Sequence, residues 1–288
     1  GGAPGGRPHA PDDLEARLAA MDEERITETL LFATRAMNIV QVQDKPFAGA
    51  YCRGFNSYLA DICSQSPRLT GTAILPFQDV PAAVAELNRA VTELELGGVC
   101  LSSYGLLEHM GSQTYWPIYE EMERLNVPLL FHNSRQGPFG DRRSNTSTLQ
   151  HTVGRPIETL MGCAAIIYGG VPEKFPKLRV AFLENRAGWV PYWMDYMDAK
   201  FQKRPFDAPL LKAKPSEYMT GGTFFFAAEP EEVALPYAVE RIGEDSIVFA
   251  TDFPHAGGNF PYVSSTLSGR RDISERAKMK ILADNGKA

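Results

Sequence analysis

Val127-Pro-Leu-Leu-Phe-His132, Leu178-Arg-Val-Ala-Phe-Leu-Glu184 and Ile247-Val-Phe-Ala-Thr-Asp252 are the runs that decide the fold. Each is short, apolar and rich in strand-forming residues, and each ends on an acid–base side chain. Each also lies between segments with helical patterning. In a parallel α/β barrel the residues just past the strand ends face one shared mouth, where catalysis occurs. An imidazole and two carboxylates at three such ends suit metal binding and proton transfer.

Working outward, strand and helix signals alternate along nearly the whole chain. Strands are expected near residues 30, 73, 100, 130, 181, 225 and 249. Helices are expected over 13–24, 50–64, 80–94, 115–125, 156–168, 190–201, 229–242 and 274–282. Strict alternation implies a parallel sheet with helices outside it. No composition break marks a second domain, so 1–288 reads as a single α/β domain. The expected architecture is a distorted (β/α)8 TIM barrel. Such a barrel takes eight strands, and nothing before residue 26 is strand-like. The first strand is therefore expected upstream of Gly1, or the chain departs from the standard barrel. Two loops, 133–145 and 253–273, are expected to be the mobile ones, with Gly137, Gly140, Gly257 and Gly258 in them.

Composition narrows the function classes. The net charge of −6 leaves no basic stripe for nucleic acid. No apolar run approaches the roughly 20 residues of a membrane span, and the Gly-Pro-rich start has no signal-peptide core. The four cysteines, Cys52, Cys63, Cys100 and Cys163, form no CxxC pair and read as reduced core thiols. A cytoplasmic location follows as an expectation.

Four stretches carry a family resemblance. They are Gly169-Gly-Val-Pro-Glu-Lys-Phe-Pro-Lys-Leu-Arg-Val-Ala-Phe-Leu-Glu184, Ala187-Gly-Trp-Val-Pro-Tyr-Trp193, Ala250-Thr-Asp-Phe-Pro-His255 and Ile281-Leu-Ala-Asp-Asn285. Over residues 12–285 the chain resembles the amidohydrolase-related metal-dependent hydrolases, in the branch with aminocarboxymuconate-semialdehyde and resorcylate-type decarboxylases. The resemblance implies a distorted TIM barrel and one divalent metal, zinc or manganese. It also implies hydrolysis or non-oxidative decarboxylation of a small carboxylated or aromatic substrate.

His132 stands where that family has a metal-ligating His on a central strand, and Asp252 matches its Asp on the last barrel strand. The plain alternatives are a hydrogen-bonded strand-end His and a turn Asp before Pro254. Glu184 departs from the decarboxylases, which have a His at that strand end. A Glu has an ordinary pKa of about 4.3 against about 6.5 for His. It suits an extra ligand, a general base, or an acid only where burial raises its pKa, or else a salt bridge to Arg186. The expected metal set is His132, Asp252 and Glu184, with Asp252 and Glu184 catalytic. His255, His151, Arg186, Arg135 and Trp189 are candidate substrate-binding residues, and loop arginines such as Arg142 and Arg143 could pair with a substrate carboxylate. His109 and His9 read as solvated. Trp189, Tyr192 and Trp193 have helical spacing and suit core or interface. With family resemblance, that aromatic helix leads us to expect a homodimer.

A second departure is at the N-terminus. The family's first-strand metal motif is absent from this sequence, where His9 stands alone among Pro and Gly. Loss of the metal follows as an alternative. With no His at 184, hydrolysis is the first expectation and non-oxidative decarboxylation the second. A metal-free cyclase or hydratase built on Glu184 and Asp252, or a non-catalytic barrel, completes the alternatives.

Overall fold

A computed structural model describes residues 13–33, 36–133, 146–255 and 260–287. Among these are seven strands: β1 Thr29–Leu31, β2 Leu69–Gly71, β3 Val99–Leu101, β4 Leu129–His132, β5 Val180–Leu183, β6 Phe224–Ala228 and β7 Ile247–Phe249. All pairs are parallel and follow sequence order. An isolated bridge from Ala73, two residues past β2, to Val99 of β3 links the two sheets, so neighbour follows neighbour from β1 to β7. No ladder joins β7 to β1 among the described residues.

Alternation along the strands builds two cores. Leu130, Ala181, Leu183, Phe225 and Ala227 form one buried cluster, and Leu30, Phe32 and Val248 pack against it. Residues of the first and last strands thus meet around one interior, as they do inside a barrel. The opposite faces carry Leu129, Phe131, Val180, Phe182, Phe224 and Phe226, which join the larger cluster beneath the helices. Burying each such aromatic or aliphatic side chain contributes about 1.5–3 kcal/mol.

The main helices are α1 Leu14–Glu23, α2 Lys45–Cys63, α3 Val80–Thr92, α4 Trp116–Leu125 and α5 Ser147–Tyr168. After α6 Val171–Lys174 come α7 Val190–Lys203, α8 Pro215–Met219, α9 Leu235–Ile242, α10 Val263–Ser268 and α11 Glu275–Met279. Several depart from the expected bounds. α2 starts before residue 50 because Asp44 caps it, accepting from Phe47 N at 2.9 Å, with a proline in its first turn. α5 starts before Pro156 because Thr146 caps it, Oγ1 accepting from Leu149 N at 3.2 Å. Proline favours a first turn, which is why the sequence suggests a start there, yet here it lies inside the helix. α9 begins only at Leu235, leaving 229–234 as a loop. The expected loop 253–273 contains α10.

Gly111 and Gly169 let two backbones meet. A Cβ at Gly111 would lie 1.8 Å from Ala165 O, and one at Gly169 would lie 2.3 Å from Gly111 O. Backbone cannot yield as a side-chain tip does. Gly111→Ala is therefore expected to destabilise the fold by about 1–3 kcal/mol, measured by urea denaturation. An unchanged midpoint would contradict this close approach.

All four cysteines are free. Burial pushes the Cys52 and Cys100 thiols up to about 12, and it also raises Cys163 and Cys63. Only Cys63 is partly exposed. An Ellman titration of the native protein is expected to show at most one reacting thiol, at Cys63, and four after denaturation. Rapid reaction of two or more native thiols would refute this burial pattern.

Candidate active site

His132 is the last residue of β4, paired in register with Leu183 of β5. Glu184 follows β5 directly, and Asp252 follows β7 by three residues. Glu184 and Asp252 both have left-handed backbone, with φ of 57° and 54°. Non-glycine residues adopt this only when the surroundings enforce it, often at functional sites. Parallel strands ending at one rim, each followed by a sharp turn, bring these side chains together.

His132 Nε2 lies 3.2 Å from Glu184 Oε2, with both side chains mostly buried. Nδ1 of His132 is 3.0 Å from the carbonyl of Asn133. A carbonyl only accepts, so Nδ1 carries a proton. Glu184 Oε2 is buried and makes no hydrogen bond. In the neutral form of that tautomer Nε2 and Oε2 are both electron-pair donors, an arrangement a cation would satisfy. Glu184, Asp252 and His255 each offer a ligand atom, all within 4.8 Å of one another. The donor set of carboxylates and imidazoles suits zinc or manganese.

His255 Nδ1 is 2.6 Å from Asp252 Oδ1. This hydrogen bond holds the His255 imidazole above its ordinary pKa, with burial pulling the other way. Spacing alone would make His255 a ligand, but its Nδ1 is already engaged by Asp252. His132 Nε2 and Glu184 Oε2 face each other at 3.2 Å and have no third partner among the described residues, which makes them candidate donors too.

Other expected residues fall elsewhere. Glu184 pairs with Arg155, Nη1 to Oε1 at 3.2 Å, and not with Arg186. Arg186 is drawn to Glu229 and Glu231, at 2.6 and 3.5 Å, because its side chain faces the loop after β6. Burial pushes the Glu229 carboxyl up, partly offset by Arg186. Trp189 packs edge-on against Phe182 and Phe226 on the helix-facing side of the sheet, so its ring is core. His151 lies on α5 one turn before Arg155, partly buried. His109 is exposed. Arg135, Arg142, Arg143 and His9 lie outside the described residues.

Several contributors do not stand out in the sequence. Arg155 is one. Asn133 is another: its buried amide donates to Leu183 O at 3.4 Å and Glu184 O at 3.2 Å, bracing the end of β5. Buried Glu232 accepts from Ala187 N and Gly188 N, fixing the turn after Glu184. Glu158, buried on α5, accepts on Oε1 from Ser102 Oγ, from Ser103 N and Oγ, and from Tyr104 N, tying α5 to the end of β3. Buried carboxylates that accept several backbone N–H groups were the available signal, but distance in sequence hid it.

A family model described as Amidohydrolase matches residues 6–287. The chain is 28% identical over 232 residues to the 2-amino-3-carboxymuconate-6-semialdehyde decarboxylase of Dictyostelium discoideum, covering 80% of this chain and 63% of that protein. It is 27% identical over 281 residues to the gamma-resorcylate decarboxylase of Polaromonas sp. strain JS666, covering 91% and 85%. The crystal structure of 2,6-dihydroxybenzoate decarboxylase complexed with 2,6-dihydroxybenzoate superposes with a TM-score of 0.82 at 25% identity, covering 97% of this chain and 87% of that one. The chain thus spans under two thirds of the first of these relatives and most of the other two. The α/β fold with parallel strands in sequence order is that of the TIM barrel, and the chain belongs to the amidohydrolase family.

Proposed function

We propose that this protein is a metal-assisted carboxy-lyase that removes carbon dioxide, without oxidation, from a small hydroxylated aromatic acid. The observation that carries the reading is the convergence of His132, Glu184, Asp252 and His255 at one rim, in a chain whose relatives include decarboxylases. His132, Glu184 and Asp252 would hold the metal. When bound, it supplies a Lewis acid that fixes the substrate's oxygens and draws charge from the ring.

The expectation of hydrolysis rests on Glu184 replacing a His, because decarboxylation needs a group that is protonated near neutral pH. His255 answers that need from another loop. Its hydrogen bond to Asp252 favours the imidazolium. A proton held at His255 goes to the ring carbon that bears the carboxylate. The carbon–carboxylate bond then breaks, its electron pair restores the aromatic ring, and carbon dioxide leaves. His255 regains a proton from solvent, which its partly exposed side chain permits.

Because His255 is raised, its protonated form persists to higher pH than that of an ordinary histidine, and turnover should fall as pH rises through that value. The direct test is incubation of the Mn²⁺- or Zn²⁺-loaded protein with 2,6-dihydroxybenzoate and related hydroxybenzoates, measuring carbon dioxide and phenol. No release from any of them, with turnover of an amide or lactone analogue, would overturn the reading in favour of hydrolysis. Hydrolysis stays the second reading because a carboxylate at 184 suits a general base.

The proposal includes a single domain over 1–288 and a cytoplasmic homodimer. The exposed Tyr192 and Tyr196 rings of α7, stacked 5.7 Å apart, support the dimer. No helix among the described residues is long and apolar enough to cross a membrane. Sedimentation as a monomer at working concentration would remove the dimer.

A further inference from the structure

We propose that Arg155 is a positioning residue. It holds Glu184 by one carboxylate oxygen, so that the other is presented to a divalent cation at the barrel mouth. This rests on the metal-assisted reading above.

The two oxygens of Glu184 have different surroundings. Oε1 is 3.2 Å from Arg155 Nη1. Oε2 is buried without a hydrogen bond and faces His132 Nε2. The guanidinium therefore does not compete for the oxygen left open. It fixes the carboxylate's rotation about its last bond, which is otherwise soft. A metal site gains from such support, since a ligand held by a neighbour needs no ordering when the ion arrives.

The support is itself anchored. Arg155 is carried by α5, and Glu158 less than one turn further on ties that helix to the end of β3 through its bonds to Ser102, Ser103 and Tyr104. The guanidinium is thus delivered from a rigid helix rather than from a loop. Asn133 restrains the same segment from the other side, by its bond to Glu184 O. With an imidazole at 184 the guanidinium would have no carboxylate to hold, so the Arg–Glu pair forms one functional unit.

Removing Arg155 also removes a positive charge, which by itself would tighten cation binding. A double-mutant cycle separates the two effects. Dissociation constants for Mn²⁺ alone are measured by electron paramagnetic resonance of the free aqueous ion. The proteins are wild type, Arg155→Met, Glu184→Gln and the double variant, each checked for native circular dichroism. The charge effect enters both rows of the cycle and cancels. The orientation effect enters only where Glu184 is present. The factor by which Arg155→Met weakens Mn²⁺ binding should be about 10–100 times larger with Glu184 intact than in the Glu184→Gln background. Arg155→Lys, which keeps the charge and shortens the reach, should recover part of the loss.

A factor within about twofold of one would overturn the inference while leaving the metal reading intact. Tighter Mn²⁺ binding by Arg155→Met only when Glu184 is present would also overturn it, making Arg155 a competitor for the carboxylate. Wild type that binds no Mn²⁺ would overturn both readings. If Arg155→Met does not fold, the Lys variant carries the same cycle.

Discussion

Asp252→Asn is expected to lower metal occupancy and turnover together, with kcat falling by about 10²–10⁴. Asn has the same shape and keeps one oxygen, so the left-handed backbone at Asp252 has no steric reason to change. What is lost is charge. Asp252 is one of two carboxylates in the cluster of Glu184, Asp252 and His255. It also holds His255 through the 2.6 Å hydrogen bond that raises the imidazole. A neutral amide attracts a divalent ion less and leaves His255 nearer its ordinary pKa. Both changes act against the reaction, one through the metal and one through the proton. Metal content by plasma mass spectrometry and carbon dioxide release from a hydroxybenzoate are to be measured on the same preparations. Full metal content with lost activity would confine Asp252 to proton transfer. Full activity would remove it from the site.

The strands were legible because their apolar runs are bounded by turns: six lie where the sequence places them, and β2, at Leu69–Gly71, ends just before the expected residue 73. Three strand-end residues were legible for the same reason. A residue after a short buried run in an alternating α/β chain has only the mouth to face. The partners were not legible. Arg155 precedes Pro156, and a proline that suggests a helix start puts the residue before it outside the helix. The structure carries α5 through the proline and places Arg155 over the site. Arg186 illustrates the converse. It is two residues from Glu184, but its left-handed backbone, φ 61°, turns it to Glu229 and Glu231. Proximity in sequence therefore selected the wrong arginine. Long-range hydrogen bonds such as those of Glu158 and Glu232 are set by packing, which periodicity does not encode.

Glu184→Gln is expected to reduce kcat by about 10²–10⁴, and Glu184→His tests why the chain carries a carboxylate there. The amide preserves volume and the hydrogen bond that Asn133 makes to the backbone of residue 184. It removes the charge that faces Arg155 at 3.2 Å. A partly buried cation left without its partner is costly, and the lost carboxylate charge should weaken metal binding as well as slow turnover. The resemblance implies an imidazole at this strand end in decarboxylases, and on that ground Glu184→His should be a working replacement. The guanidinium opposes it, because two groups that favour positive charge would then share one pocket. Glu184→His alone is therefore expected to remain at least about tenfold below wild type. Glu184→His combined with Arg155→Met is expected to recover carbon dioxide release beyond either single variant. That recovery would show that Arg155 is matched to a carboxylate at 184 and opposes an imidazole there. A double variant no better than Glu184→His would mean that Arg155 does not determine which side chain the site accepts. Glu184→His alone outpacing an already active wild type would show that the carboxylate was never needed for carbon dioxide release.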